Sequence, residues 1–94
     1  MSQLYDFTQH INIGPTTAKN LQEMGIKDFS EMKRLGTEEL FFRYLQHRGG
    51  WHRGMCSCWL YAIEGAITDT KWNEIPEQKR KRFRSIVHSI TRKR

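Results

Sequence analysis

The sequence predicts a compact all-α domain of five helices. Three observations lead there: apolar residues recur at spacings of three and four, glycines and prolines fall where helices stop and start, and no period-two alternation of strand length occurs. At 94 residues the chain holds one small core, since single domains usually need on the order of 100 residues. We therefore treat 1–94 as a single domain.

Each helix has its own signals. Gly14-Pro15 places proline at a first helical position, where its fixed φ and missing N–H suit a helix start. Ala18, Leu21 and Met24 then recur at spacing three before Gly25, and Ile26 can pack back on Leu21 as in a Schellman stop. The second helix opens at Asp28, whose carboxylate can cap the amide of Glu31 while Glu31 reaches back. It closes at Gly36. Thr37-Glu38-Glu39 starts the third with a hydroxyl cap and two carboxylates at the positive end of the dipole. Leu40, Phe41, Tyr44 and Leu45 form its apolar face, and Gly49-Gly50 ends it. From about Met55 to Ile67 the positions Trp59, Leu60, Ala62, Ile63, Ala66 and Ile67 make a wide buried stripe, the mark of a central helix. Pro76-Glu77 opens the last helix, where Phe83, Ile86, Val87 and Ile90 repeat at helical spacing. Its end at 92–94 is expected to fray.

Composition narrows the class. With 37% hydrophobic, 12% aromatic and 28% charged residues, the chain can anchor a core and is not of the disordered type. The longest purely apolar run, Cys58 to Ile63, is far short of the roughly 20 residues a bilayer span needs. Met1 to Phe7 lacks the basic start and apolar stretch of a secretory signal, so a cytoplasmic protein with reduced cysteines is expected. Net charge is +6, unevenly spread. Lys79 to Arg94 holds eight basic residues and no acid, whereas the preceding 78 residues hold eight basic residues and all ten acids. Such a basic end can bind a phosphate polyanion or an acidic protein, or it can be the solvated face of a soluble helix.

Three stretches in order resemble the C-terminal domain of the TfoX (Sxy) competence regulators. They are Asn12-Ile13-Gly14-Pro15-Thr16-Thr17-Ala18 with Gly25-Ile26, then Trp59 to Ala66 with its A-I-E-G-A core, then Trp72-Asn73-Glu74-Ile75-Pro76 with Lys79. The resemblance runs from about Phe7 to Val87, as a stand-alone domain without the regulators' N-terminal domain. Their role in switching on DNA-uptake genes therefore does not carry over. The glycine-bounded stretch Gly49 to Gly54 and the strongly basic end depart from the family pattern.

The resemblance implies a fold similar to helix-hairpin-helix and SAM-like domains. In such hairpins a tight turn aims the free amides of a helix N-terminus at a phosphate without reading bases. Here that turn would use Asn12, Gly14, Thr16 and Lys19. Asn12 stands where glycine is usual and can adopt a left-handed φ or cap the turn, while adding bulk where a phosphate would approach, and Pro15 removes one amide. The alternative is a hairpin that only packs. The other nominated phosphate contacts, for DNA or RNA, are Lys79, Arg80, Arg82 and Arg84.

Glu64 and Gly65 stand together in the central helix. Glu64 is the acid within the apolar region and is expected to accept backbone amides of a neighbouring turn, fixing two helices; the plainer reading is a solvent-facing glutamate. Gly65 costs up to about 1 kcal/mol relative to Ala in mid-helix, so close approach of another backbone is expected there. Trp72 is expected to anchor the last helix by packing. Cys56-Ser57-Cys58 with His47 and His52 has poor spacing for zinc, and no metal or cofactor is expected. Trp51, His52 and Arg53 could stack on a base or fold over the core. No phosphate-binding loop, nucleophile elbow or paired-acid pattern is present, so no enzyme is expected. Two function classes remain: a nucleic-acid binder without strong sequence preference, and a protein-interaction adaptor. The sequence leaves the oligomeric state open.

Overall fold

The structure, a computed structural model, describes residues 5–49 and 58–92. Among these residues there are four α-helices and no strand: α1 (Pro15–Glu23), α2 (Phe29–His47), α3 (Cys58–Thr68) and α4 (Glu77–Arg92), with 3-10 turns at Phe7–Gln9 and Trp72–Glu74. Four helices replace the predicted five because the second and third have no connecting segment. Gly36 alone, at φ 84° and ψ 164°, interrupts the helical backbone inside α2, and a residue with a Cβ would be strained at that positive φ.

Local chemistry explains the ends. Pro15 occupies the first turn of α1. At its other end Ile26 N–H donates to the Leu21 carbonyl at 3.1 Å and Gly25 N–H to that of Gln22 at 3.0 Å, the two bonds of a Schellman stop. Asp28 caps α2 by accepting from Glu31 N–H at 3.0 Å. Glu31 reaches back to the amide of Lys27 at 2.7 Å, one residue earlier than a standard capping box. The Phe7–Gln9 turn gave no sequence signal. Asp6 accepts from its Thr8 N–H at 3.0 Å, and the turn buries Phe7 completely.

The core has two clusters. One joins Phe7, Ile13, Ala18, Leu21, Ile26, Met32, Leu40, Ile63 and Ala66, binding the N-terminal turn and α1 to the inner faces of α2 and α3. The other joins Phe41, Leu45, Leu60, Tyr61, Ile75 and Phe83 and seats α4. Trp59 packs against both and stacks on Tyr44 with ring centroids 4.4 Å apart. α4 presents Phe83, Ile86, Val87 and Ile90 inward. Its N-terminal approach is fixed by Ile75, buried in the same cluster.

Candidate interaction surface

The N-terminal turn is tied inward. Asn12 adopts φ 70°, the left-handed region that asparagine tolerates better than most residues. Its Nδ2 donates to the Thr70 carbonyl at 2.8 Å and reaches the Ala62 carbonyl at 3.5 Å, and its Oδ1 accepts from Trp72 N–H at 3.3 Å. One side chain thus pins the hairpin to the end of α3 and to the following turn. Gly65 lies at that crossing. A Cβ there would come within 3.0 Å of both the Thr70 carbonyl oxygen and Asn12 Nδ2, closer than real Cβ contacts come. The backbone approach expected at Gly65 is accordingly that of Thr70. With its amide group occupied, Asn12 offers nothing to a phosphate. Gly14 begins α1 through its carbonyl, which accepts from Ala18 N–H, and Thr16 and Lys19 are exposed.

Glu64 joins three elements, by side chains and not by backbone amides. Its Oε1 accepts from the Thr37 hydroxyl at 2.7 Å, and its Oε2 pairs with the Lys79 ammonium. Thr37, expected to cap, is buried and gives its hydroxyl to Glu64 instead. The carboxylate is 12% exposed, so two donors from two other helices offset its desolvation.

The nominated cations of α4 fall into a pattern that the charge count hides. Arg82 grips Glu38 through Nε at 2.7 Å and Nη2 at 3.0 Å, and this bidentate bond holds Glu38 below the usual carboxylate range. Arg80 lies over the Tyr61 ring, 5.7 Å from its centroid. Its buried Nε has no hydrogen-bond partner among the described residues. Arg84 binds Glu77 at 2.8 Å, and that hydrogen bond is the main reason the Glu77 carboxyl is held low. Lys79, Arg82 and Arg84 are therefore committed to acids, the first two holding α4 on the body. The acids responsible, Glu38 and Glu64, were visible in the sequence, but nothing local links them to a helix 15 to 44 residues away. Lys81 is exposed and stands outside these pairs.

Trp72, expected to anchor the last helix, belongs to neither core cluster. It is 52% exposed. The 3-10 turn it begins points Ile75 into the core, and the residue's anchorage is its backbone amide on Asn12. Phe42, on the outer side of α2, is 45% exposed and lines a cavity of about 290 Å³ with Arg82, Ser85, Ile86, Ser89 and Ile90 of α4. A second cavity of about 430 Å³, between Gly36, Glu64 and Lys79, also reaches Arg82. Together they form a trough between α2 and α4. Helical spacing leaves Phe42 off the apolar face of Leu40, Phe41, Tyr44 and Leu45, and the structure agrees: Phe41 is buried and Phe42 is not.

Of the residues weighed as a metal site, His52 and Cys56 lie outside the described residues, as do Trp51 and Arg53. His47 pairs with Glu23 at 3.0 Å. Among the described residues no group of three or more histidine, cysteine, aspartate or glutamate side chains is placed to hold a metal. No helix of the described residues is long and apolar enough to cross a membrane.

Among the described residues these features define a small all-helical module held by the side-chain amide of Asn12 at its turns and the carboxylate of Glu64 between its helices. The chain belongs to the TfoX C-terminal domain family, whose model matches residues 6–86. Two solved structures are similar to it, both of proteins from Listeria monocytogenes without an assigned function. A triclinic crystal form shares 28% identity at TM-score 0.81, covering 90% of this chain and 92% of that one. A tetragonal form shares 29% identity at TM-score 0.79, covering 88% and 98%. No curated protein matches the chain.

Proposed function

We propose that this domain is a non-catalytic, cytoplasmic protein-interaction module that binds through the trough between α2 and α4. The observation that carries the reading is the contrast between two surfaces. Of the five cations nominated for phosphate, Lys79, Arg82 and Arg84 are held by acids of the same chain, and the Asn12 amide is used inside the fold. The trough keeps a large aromatic, Phe42, in solvent, as binding surfaces do. The helical fold and the turn before Pro15 support a relation to helix-hairpin-helix domains, here with the hairpin used for packing.

A second reading, sequence-independent nucleic-acid binding, is favoured by one observation. Lys79 to Arg94 contains no acid, and Lys81 stays outside the ion pairs. Fluorescence anisotropy of labelled duplex and single-stranded DNA at about 50, 100 and 200 mM salt separates the two readings. The interaction-module reading expects only weak binding that vanishes at the highest salt. Affinity tighter than about 1 μM at about 150 mM salt, lost when Lys81 and Arg84 become Gln, would replace it with the second reading.

A further inference from the structure

The two flanks of α4 differ in what holds their cations. On the α2 side Arg82 is spent on Glu38 through two bonds. On the α3 side the holder is a neutral ring. Tyr61 of α3 is buried and packs on Phe83 of α4 with ring centroids 6.0 Å apart. Arg80 lies over the tyrosine face, and Arg84 hydrogen-bonds the same side chain. Stacking on a ring fixes a guanidinium without cancelling its charge. Glu77, Arg80, Lys81 and Arg84 stand at i, i+3, i+4 and i+7, neighbours on one helical face. Glu77 is the acid of that group, and it takes a single bond from Arg84 Nη2 at 2.8 Å, between side chains 50% and 61% exposed. An exposed pair of that kind is weak and exchanges readily. Arg80 and Lys81 form no ion pair among the described residues. Three cations thus face one loosely held carboxylate.

Resting on the interaction-module reading, we propose that this face, with Arg80 and Arg84 set on Tyr61 and Lys81 beside them, is a second docking surface that receives a short carboxylate-rich segment of a partner protein. Glu77 shows in place that the face accepts a carboxylate, and the partner's acids take the guanidinium donors that Glu77 leaves. Positioning is supplied in advance. Tyr61 already fixes both guanidinium groups, so binding has fewer side chains to order. Length decides against a nucleic acid. From Arg80 to Arg84 the face runs about 6 Å along the helix axis, at about 1.5 Å per residue, which suits a few acidic residues. A nucleic acid extends past it onto residues 1–78, which hold ten acids against eight basic residues and repel a long polyanion.

The test is an NMR titration of the full-length ¹⁵N-labelled chain at about 150 mM salt with three probes: a blocked glutamate-glycine peptide, the same peptide with glutamine for glutamate, and a short duplex DNA. The proposal expects the glutamate peptide to shift Arg80, Lys81 and Arg84 saturably and the glutamine peptide to leave them unmoved. Arg80→Lys combined with Arg84→Lys keeps the net charge of +6 and removes the stacked, forked donors. It should weaken the glutamate peptide by about tenfold, the scale of one lost charged hydrogen bond, and circular dichroism establishes that the variant folds. Lys81→Gln should weaken it by about two- to fivefold, as an exposed ion pair does. A double lysine variant that binds as tightly as the parent would reduce the face to a diffuse positive field and overturn the site. Equal shifts with glutamine would overturn the chemistry. If Arg80 and Arg84 shift on dilution of the protein alone, the acids come from a second copy and the choice of partner falls. Shifts at Phe42, Ile86 and Ile90 instead would overturn the place and leave the interaction-module reading standing. No shift with the glutamate peptide overturns the proposal, and if duplex DNA then shifts this face at the same salt, the interaction-module reading falls with it.

Discussion

Asn12 and Gly65, 53 positions apart in sequence, share one point of the fold: the side-chain amide of Asn12 and the Thr70 carbonyl fill the space that a Cβ on residue 65 would need. The glycine and the asparagine are thus parts of one joint. Neither neighbour at residue 65 can yield cheaply, because one is backbone and the other is held by three hydrogen-bonded groups.

Gly65→Ala should therefore destabilise the domain by about 2 to 3 kcal/mol, the upper part of the range for overpacking a filled site, although alanine is the better helix former. Urea unfolding followed by circular dichroism measures it. A loss below about 0.5 kcal/mol, the scale of an ordinary surface change, would show that the crossing has slack.

At Asn12 two effects can be separated. Alanine loses the bonds to Thr70 and Trp72 and is also strained at φ 70°; glycine loses only the bonds. Asn12→Ala is expected to cost about 2 to 3 kcal/mol and Asn12→Gly about 1 kcal/mol less, the penalty of a left-handed residue with a Cβ. If the two variants melt together, backbone strain has no part in the choice of asparagine.

Glu64→Ala leaves the Thr37 hydroxyl and the Lys79 ammonium without their acceptor, and a loss of about 2 to 3 kcal/mol is expected for so little exposed a group. Glu64→Gln keeps an acceptor for Thr37 and should lose less. Lys79→Met, at a side chain 47% exposed, should be the mildest of the three. Melting temperatures of the three proteins in one buffer rank them, and a Lys79 variant as damaged as Glu64→Ala would reverse the assignment.

The pair of Glu38 and Arg82 gives a pH dependence whose sign follows from the direction of the shift. Arg82 holds the Glu38 carboxyl below its ordinary 4.5, so folding favours the ionised form. That stability is present above the unfolded carboxyl's pKa and is lost as pH falls through the lower folded value. Both side chains are more than a third exposed, which limits the contribution to under about 1 kcal/mol and makes it smaller in high salt. Glu38→Gln should flatten the fall in melting temperature below about pH 4.5, where the native carboxyl titrates. An unchanged acid limb would show that other carboxylates set it.

Helix identity was legible because it is local. The Schellman stop at Gly25, the cap at Asp28 and the opening at Pro15 are read within five residues, and the structure has each. What the sequence could not show depends on distance along the chain. Gly36 carries the signal of a helix end but not whether a loop follows. The eight basic residues after Gln78 look like one surface, yet Lys79 and Arg82 turn toward Glu64 and Glu38, whose positions only the packing of α2 against α3 establishes. Trp72 looked like an anchor because tryptophan usually buries. Here the backbone of the turn is held by Asn12, and the smaller Ile75 fills the core.

Asn12 also sets a time order. Its partners are 50, 58 and 60 residues further along the chain, so the N-terminal turn cannot close its bonds until Trp72 has been made. On a ribosome adding about 5 to 20 residues per second, the first helix waits several seconds for the group that locks it. Contacts of such long sequence separation slow folding even in an all-helical chain. A nascent chain arrested before residue 70 should therefore lack this joint as well as α4, leaving it open to protease at the turn that the finished domain seals.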